Sequence, residues 1–326
     1  MPHSLTEPLV SVVIPCYNAA LWIRETLESV RAQDLNGMEV IVVDDGSSDD
    51  SAQIVSSEFP WVSLICTDNR GASAARDTGV ASSRGRFLQF LDADDLLPPH
   101  KLALQIYVLE HTAADVAYGD WQYLVKQPDG GFAAGAPVAR EIEGDADVAL
   151  FTDCWYPIHA YLFRRVIVER VGGFHPELPI IQDARFALDC ALHGGQFVYC
   201  SGFVTQYRIH SELQNSKRDP VAFNRDVFRN AVDVEQWWRG EGPLTAARER
   251  ALLHTYQYVA RSTYRRDWPT FEAAWRALET IRPGFCPTTP KTLGWVSRVV
   301  GYRNAEEIAY QYRSIKRLFL LRPQST

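Results

Sequence analysis

The first part of the chain alternates short apolar runs with amphipathic segments. Residues 9–15 (LVSVVIP) and 38–45 (MEVIVVDD) are β-branched runs of strand length, and residues 21–33 between them repeat apolar positions at near-helical spacing. The alternation continues with predicted helices at 50–59, 71–85 and 100–112 and predicted strands at 62–69 and 86–95. Strands that alternate with helices indicate βαβ units, so we expect an α/β fold with a mostly parallel sheet flanked by helices.

The pattern changes after residue 115. It predicts a strand hairpin at 115–125 and 130–137, a helix near 145–151, a strand at 156–165, helices at 166–174 and 180–195, and a strand-rich segment at 197–210. Beyond about residue 220 the chain becomes helical and rich in Trp and Arg. We therefore expect one domain over residues 1–220, with halves 1–115 and 116–220, and a helical region over 221–326.

Four polar clusters follow the first four predicted strands, namely PCYN, DDGS, TDN and DADD. Ligands of open parallel sheets bind beyond the carboxyl ends of the strands, so these clusters should meet at one edge. Taken alone, Asp92, Asp94 and Asp95 fit either a solvated turn or a cation site. Like charges this close need a compensating positive charge, and Mg²⁺ and Mn²⁺ prefer oxygen ligands. The convergence of four clusters favours the cation.

The composition is that of a globular protein, with 46% hydrophobic and 22% charged residues. The net charge of −7 is uneven, since residues 1–220 hold 16 Lys and Arg against 30 Asp and Glu, whereas residues 221–326 hold 17 against 10. An acidic first part argues against nucleic acid as the main partner. The basic second part fits either an anionic surface or the acidic part of the same chain.

Three features predict a cytoplasmic protein. No apolar run reaches the roughly 18–20 residues that cross a bilayer. The first ten residues, MPHSLTEPLV, lack the basic start and apolar core of a secretory signal. The six cysteines are scattered without a CxxC, which favours free thiols over disulfides or a zinc site.

The clusters, in this order and spacing, resemble the inverting glycosyltransferases of family 2. The resemblance covers about residues 9–210 and rests on VSVVIPCYNAALWIRETLESVRAQ, EVIVVDDGSSDDS, DNRGASAARDTGVASSRGRFLQFLDADD, FRRVIVERVGGFHPEL, QDARFALDCALHG and YRIH. It implies a GT-A (Rossmann-like) fold with a mixed, mostly parallel central sheet, and the predicted helical C-terminal extension lies outside the resemblance. It also implies a nucleotide-sugar donor, Mn²⁺ or Mg²⁺, and sugar transfer to an acceptor hydroxyl in surface glycan or polysaccharide biosynthesis.

The resemblance assigns donor contacts to the strand ends. Tyr17, after Pro15, matches a position whose aromatic ring lies near the donor base, although core packing is the alternative for a lone Tyr. Asp44 and Asp45 match a pair that contacts the nucleoside, one of them commonly facing the uracil N3–H, as a charge-assisted acceptor. This pair favours a UDP-sugar over dTDP and GDP donors. Donor contacts are also implied for Asn69, Gly71, Arg76, Asp92 and Arg208. Arg76 either reaches the donor or pairs with a carboxylate of DADD.

The resemblance also assigns the metal and the general base. Asp94 would bind the cation, Asp92 would face the ribose or the metal, and His210 would contact phosphate, complete the metal shell or be structural. Asp183 matches the family base because it precedes a helix-ending glycine by 11 residues. Gln182 replaces the Glu that commonly precedes the base, which removes a charge near the acceptor.

Three further predictions concern the surroundings of the base. Arg185 and Asp189 form an i,i+4 pair that we interpret as helix support. His159 and Trp155 either line the acceptor cleft or pack in the core.

Other functions fit less well. A dinucleotide dehydrogenase needs G-x-G-x-x-G where this chain has PCYNAA, and no P-loop is present. A sugar-nucleotidyltransferase shares the fold but carries a glycine-rich basic loop that is absent here. A non-catalytic sugar-nucleotide-binding or scaffold protein is supported by Gln182 alone, whereas Asp183, Asp94 and His210 favour a catalyst.

The tail predicts an amphipathic helix broken near Gly301. Residues 294–323 interleave apolar residues, at steps of three and four, with Arg and Lys. Such a helix either packs on the catalytic domain or lies on an anionic bilayer. A peripheral membrane contact through residues 294–326 would suit a lipid-linked glycan acceptor at the cytoplasmic face.

Overall fold

A computed structural model describes residues 7–152, 155–209, 219–288 and 290–320. The chain forms two compact units, Met1–Arg218 and Asp219–Thr326. The strands of the first unit are β1 Val10–Cys16, β2 Met38–Asp44, β3 Ser63–Cys66, β4 Phe87–Phe90, β5 Val116–Lys126, β6 Phe132–Val138, β7 Tyr161–Arg164 and β8 Phe197–Ile209. Its helices are α1 Ile23–Arg31, α2 Ser51–Glu58, α3 Ala72–Ser82, α4 Lys101–Glu110, α5 Ala146–Thr152, α6 Arg165–Val171 and α7 Gln182–Leu192.

The strands of the first unit form one mixed sheet. Among the described residues the strand order is β3-β2-β1-β4-β7-β5-β6, and β8 also pairs with β5. Strand β1 lies parallel to β2 and β4, β2 lies parallel to β3, and β8 lies parallel to β5. Strand β7 runs antiparallel between β4 and β5. The predicted mixed, mostly parallel sheet flanked by helices is confirmed.

The apolar runs form strands because the sheet is covered on both faces. Every residue of β1 and β4 is buried, as expected for central strands of a parallel sheet. Helix α3 approaches β1 so closely that a Cβ on Gly79 would lie 2.3 Å from Cγ1 of Val13. This close approach brings Arg76, one turn earlier on α3, to the carboxyl end of β1 and β4.

Three strand predictions are wrong in extent. Strand β3 ends at Cys66, before the predicted end at residue 69. Residues 156–160 are not strand; a 3₁₀ helix at Ile158–Ala160 precedes β7. Pro157 has no N–H to donate to a ladder, and its carbonyl accepts from the Ala160 N–H at 2.8 Å, which closes the turn. Strand β4 likewise ends at Phe90, and residues 91–95 form a loop in which the Asp95 N–H donates to the Asp92 carbonyl at 3.1 Å.

The second unit is helical. Its helices are α8 Pro220–Glu241, α9 Ala246–Thr263, α10 Trp268–Ile281, α11 Lys291–Val300 and α12 Tyr302–Leu320. Gly301, at φ +79°, separates α11 from α12, so the predicted break is confirmed. Helix α12 packs within its own unit, where Glu307 accepts from the Tyr264 hydroxyl and pairs with Arg265 at 2.7 Å.

Two sequence predictions can be compared with the described residues. The cysteines there, Cys16, Cys66, Cys190, Cys200 and Cys286, are all free thiols. None of the helices in the described part of the chain is long and apolar enough to cross a bilayer.

Candidate active site

The loop after β1 presents an aromatic side chain to solvent. Pro15 is buried within β1, whereas the Tyr17 side chain is 55% exposed, which excludes core packing. Asn18 adopts a left-handed conformation at φ +50°. Its side-chain carbonyl accepts from the Ser48 N–H at 2.8 Å, and its own N–H donates to the Ser47 hydroxyl at 3.0 Å. The loops after β1 and β2 are therefore joined beside Tyr17.

Asp44 and Asp45 are both buried at the end of β2 but differ in their partners. The Asp45 carboxylate accepts from the backbone N–H groups of Arg70 at 2.9 Å and Gly71 at 2.8 Å. One oxygen of Asp44 accepts from the Ser47 N–H at 3.2 Å, and the other is buried without a hydrogen-bond partner in the described part of the chain. Asp45 thus shapes the loop after β3, and Asp44 retains an unpartnered oxygen.

The loop after β3 brings Asn69 and Gly71 to the same edge. Both residues are exposed, and Gly71 has φ +89°, a conformation that favours glycine. A Cβ on Gly46 would lie 3.0 Å from the Asn69 nitrogen, so the loops after β2 and β3 touch through their backbones.

The loop after β4 alternates in exposure. Asp92 and Asp94 are partly exposed, whereas Ala93 and Asp95 are buried. Asp92 forms an ion pair with the buried Arg76, with Nη2 and Oδ1 2.5 Å apart. The guanidinium lies over the Phe174 ring at 5.3 Å, and its Nε and Nη1 have no hydrogen-bond partner among the described residues. Of the two roles predicted for Arg76, the structure contains the pair with a DADD carboxylate.

Asp95 connects this loop to two other elements. Its Oδ1 accepts from the Arg208 N–H on β8 at 2.6 Å, and its Oδ2 lies 3.4 Å from Nδ1 of His159. Burial raises the pKa of Asp95, and the neighbouring Asp94 and Asp92 raise it further. Burial lowers the pKa of His159 to about 3, so its ring is neutral at physiological pH. One ligand atom from each of Asp92, Asp95 and His159 lies within 4.8 Å of the others, a group that could hold a metal ion.

His159 is completely buried, so its ring does not line an open cleft. Its approach to Asp95 was not predicted. The two residues are far apart in sequence, and neither periodicity nor a motif links them.

Arg208 holds the loop after β4 from the side of β8. Its guanidinium is buried, donates to the Asp94 carbonyl at 2.6 Å and pairs with Glu25 of α1 at 2.6 Å. It also lies over the rings of Trp22, at 4.9 Å, and Phe132, at 5.1 Å. The charge of Arg208 is therefore already engaged by Glu25. The predicted contact of Arg208 with the donor stays a prediction, and His210 lies outside the described residues.

Asp183 lies in the first turn of α7. Its Oδ1 accepts from the Ala184 N–H at 2.8 Å. Burial raises the pKa of Asp183, Arg76 opposes the rise, and Asp92 adds to it. Asp183 thus lies in the field of the Arg76–Asp92 pair, and a raised pKa is common among catalytic bases.

The neighbours of Asp183 fix the start of α7. The Gln182 side-chain carbonyl accepts from the Ser73 hydroxyl of α3 at 2.5 Å. Arg185 and Asp189 form the predicted i,i+4 ion pair, at 2.8 Å, and both are buried. The Ser73–Gln182 hydrogen bond ties the helix that carries Asp183 to the helix that carries Arg76.

Tyr207 is a site residue that the sequence analysis missed. Its ring stacks on His159 with centroids 6.0 Å apart. Burial raises the pKa of Tyr207, and so do the carboxylates of Asp95, Asp92, Asp183 and Asp94. Its position in YRIH, directly before the predicted donor contact Arg208, was a usable signal. Because side chains alternate along a strand, Tyr207 faces away from Arg208 and approaches the site from the other face of β8.

Comparison with known proteins agrees with this geometry. Residues 11–136 match the family model described as Glycosyl transferase family 2. Curated relatives include the uncharacterized glycosyltransferases RP339 of Rickettsia prowazekii, 29% identical over 56% of this chain and 58% of the relative, and EpsJ of Bacillus subtilis, 30% identical over 56% and 54%. The chain thus spans between half and two thirds of the length of these relatives.

Solved structures share the fold over most of the chain. S. aureus TarS 1-349 in complex with UDP-GlcNAc has a TM-score of 0.66 at 18% identity, over 93% of this chain and 91% of that one. The mannosyltransferase PcManGT from Pyrobaculum calidifontis, in complex with GDP-Man and Mn²⁺, has a TM-score of 0.56 at 20% identity, over 98% and 89%.

The mixed sheet with carboxylate clusters at its edge is the GT-A fold that these solved structures share. Over residues 11–136 the chain is similar to glycosyl transferase family 2.

Proposed function

We propose that this chain is an inverting, metal-dependent glycosyltransferase that moves a sugar from a UDP-sugar to an acceptor hydroxyl. The acceptor is a glycan or a lipid-linked glycan in surface glycan or polysaccharide biosynthesis. The observation that carries the proposal is the grouping of Asp183 with the Arg76–Asp92 pair at the carboxyl edge of the sheet.

The donor base fits beside Tyr17 and Asp44. The exposed Tyr17 ring offers a stacking surface next to the joined loops after β1 and β2. Asp45 already uses both carboxylate oxygens for the loop after β3, so Asp44 is the residue with an oxygen for an imide N–H. The binding of UDP-GlcNAc by TarS, a structural neighbour, supports a uridine donor.

The loop after β4 has the chemistry of a site for a hard cation. Asp92 and Asp94 are its two partly exposed carboxylates, and oxygen donors suit Mn²⁺ and Mg²⁺. From the resemblance to the family, Asp94 is the main predicted ligand, with His210 and Asp92, which pairs with Arg76, as further ones. A divalent cation bound here supplies positive charge to the diphosphate leaving group.

Asp183 acts as the general base. It takes the proton of the acceptor hydroxyl while the acceptor oxygen bonds to the anomeric carbon and the bond from that carbon to the diphosphate breaks. Attack from the side opposite the leaving group inverts the anomeric centre. Arg76 opposes the rise of the Asp183 pKa and so favours the ionised carboxylate that a general base needs.

The proposal is tested by donor binding and hydrolysis. We expect Mn²⁺ to strengthen UDP binding, measured by calorimetry, and Asp94→Ala to abolish both the EDTA-sensitive part of that binding and turnover of UDP-sugars. Asp129→Ala, in the exposed turn between β5 and β6, serves as the control. Full activity in excess EDTA would contradict the metal role. Binding of UDP without any turnover would favour the sugar-nucleotide-binding or scaffold alternative.

We also propose a peripheral membrane contact through the second unit. On α11 the side chains of Trp295 and Val299 are 69% and 70% exposed, one turn apart, with the exposed Arg298 beside them. An exposed aromatic and apolar strip next to basic residues is typical of helices that lie on anionic bilayers.

A further inference from the structure

A line of aromatic side chains runs from the buried carboxylates to the surface of the first unit. His159, 3.4 Å from Asp95, stacks on Tyr207, and Tyr207 packs edge-on against Trp155 with centroids 5.9 Å apart. Trp155 is 36% exposed, whereas behind it Tyr207 is half-buried and His159 is fully buried. The line therefore ends in an indole that solvent or a ligand can reach.

The indole of Trp155 is held in place by its neighbours. Trp121 of β5, which is buried, packs edge-on against it at 6.0 Å and 88°. Trp121 in turn packs on Tyr156, whose hydroxyl donates to the Arg140 carbonyl at 2.9 Å. A large aromatic surface that is fixed before binding loses little conformational entropy when a ligand arrives.

The same aromatic cluster supports the helix of the general base. Phe186 of α7, one turn after Asp183, belongs to the buried cluster that contains Trp121 and Tyr156. Tyr207 packs against that cluster and lies in the field of the Asp183 carboxylate. Asp183 and Trp155 are therefore both neighbours of Tyr207.

Resting on the proposed function, we propose that Trp155 is the platform of an acceptor subsite that binds a sugar ring. A pyranose has an apolar face of C–H groups and a rim of hydroxyls, so it matches the apolar face and polar edge of a half-exposed indole. Trp155 thereby sets the chemical class of the acceptor as a saccharide.

The test compares variants of the full chain in transfer to saccharides. Trp155→Ala and Trp155→Phe are assayed with Mn²⁺, a UDP-sugar that the wild type hydrolyses, and oligosaccharides ending in glucose, galactose or N-acetylglucosamine. We expect Trp155→Ala to raise the acceptor KM about 10- to 30-fold with a much smaller change in kcat, the size of effect that follows loss of an aromatic anchor. Trp155→Phe should restore most of the affinity.

Trp61→Ala is the matched control, since Trp61 is also partly exposed and packs edge-on against a ring, Phe59, outside the site. Calorimetric binding of UDP with Mn²⁺ shows that each variant is folded. An acceptor KM for Trp155→Ala equal to that of Trp61→Ala would overturn the subsite. Transfer by the wild type to an alcohol that is not a saccharide, but to no saccharide, would overturn it as well. Absence of UDP-sugar hydrolysis in the wild type would instead contradict the proposed function itself.

Discussion

At the scale of single residues, the site depends on the charge of Arg76. This buried guanidinium pairs with Asp92, lies over Phe174 and lowers the pKa of Asp183 against the effect of burial. Two of its nitrogens have no hydrogen-bond partner within the described ranges, so its charge is available to both carboxylates and to a bound anion. The positive charge of Arg76 thus offsets both the carboxylate of Asp92, on the donor side, and the carboxylate of Asp183, on the acceptor side.

The raised pKa of Asp183 predicts the pH dependence of turnover. Because the base must be ionised, the acidic limb of the kcat–pH profile should have a pKa above the ordinary Asp value of about 3.9. In Asp183→Asn this limb should disappear, and kcat should fall by about 10²- to 10⁴-fold. Arg76→Gln should move the limb to higher pH, and Arg76→Lys, which keeps the charge, should move it less. If both Arg76 variants kept the acidic limb at the pH of the wild type, this coupling would be contradicted.

The same shift predicts a gain in stability when Asp183 is replaced. As pH rises above about 3.9 the unfolded chain releases the Asp183 proton before the folded chain does, so stability from this group falls as pH rises through the raised folded pKa. At pH 7 we therefore expect Asp183→Asn to have a higher free energy of unfolding than the wild type, measured by urea denaturation. A less stable variant would show that the ionised Asp183 is well compensated in the fold.

At the scale of elements, the contact of α3 with β1 positions Arg76. Gly79→Ala would place a methyl group 2.3 Å from Cγ1 of Val13, so we expect a loss of about 1–3 kcal/mol in the free energy of unfolding. Turnover should fall as well, because Arg76 moves with the helix. Gly79→Ala combined with Val13→Ala should lose less than the sum of the single variants.

Gly240→Ala is the matched control for that prediction. Gly240 also lies in a helix, α8, and a Cβ there meets nothing within 4 Å, so the substitution should stabilise by up to about 1 kcal/mol. Equal effects of Gly79→Ala and Gly240→Ala would contradict the close approach of α3 to β1.

The elements were largely predictable because apolar residues follow a different spacing in strands and in helices. The exceptions include residues 91–95 and 156–160, whose composition is compatible with strands. They do not join the sheet because their backbone groups form local hydrogen bonds that close turns. The resemblance to the family assigned roles to Asp92, Asp94 and Asp183, and those roles stay predictions. The contacts of Arg208 with Glu25 and of Asp95 with His159 join distant segments, and only the fold brings them together.

At the scale of the whole molecule, acidic and basic residues are distributed unevenly between the two units. The acidic residues prevail in the first unit, and the second unit carries the excess of Lys and Arg together with the exposed strip of α11. This separation fits a protein whose basic unit meets an anionic surface.

We expect the intact protein to sediment with vesicles of phosphatidylglycerol but not of phosphatidylcholine, and less so as salt increases. Trp295→Ser with Val299→Ser should weaken this binding strongly. Trp237→Ser, which removes another partly exposed Trp of the same unit, should not. No binding to phosphatidylglycerol at low salt would contradict the membrane contact and leave α11 with a purely structural role.

The central claim is that this protein transfers sugar from a nucleotide donor with inversion through Asp183. The most direct measurement follows the first product of UDP-sugar turnover by proton NMR, with Mn²⁺ and either water or a saccharide as the acceptor, before the released sugar equilibrates. The account predicts that an α-linked donor gives a β-configured product and that Asp183→Asn, which still binds UDP, gives almost none. A product that keeps the α configuration, or undiminished turnover by Asp183→Asn, would contradict it.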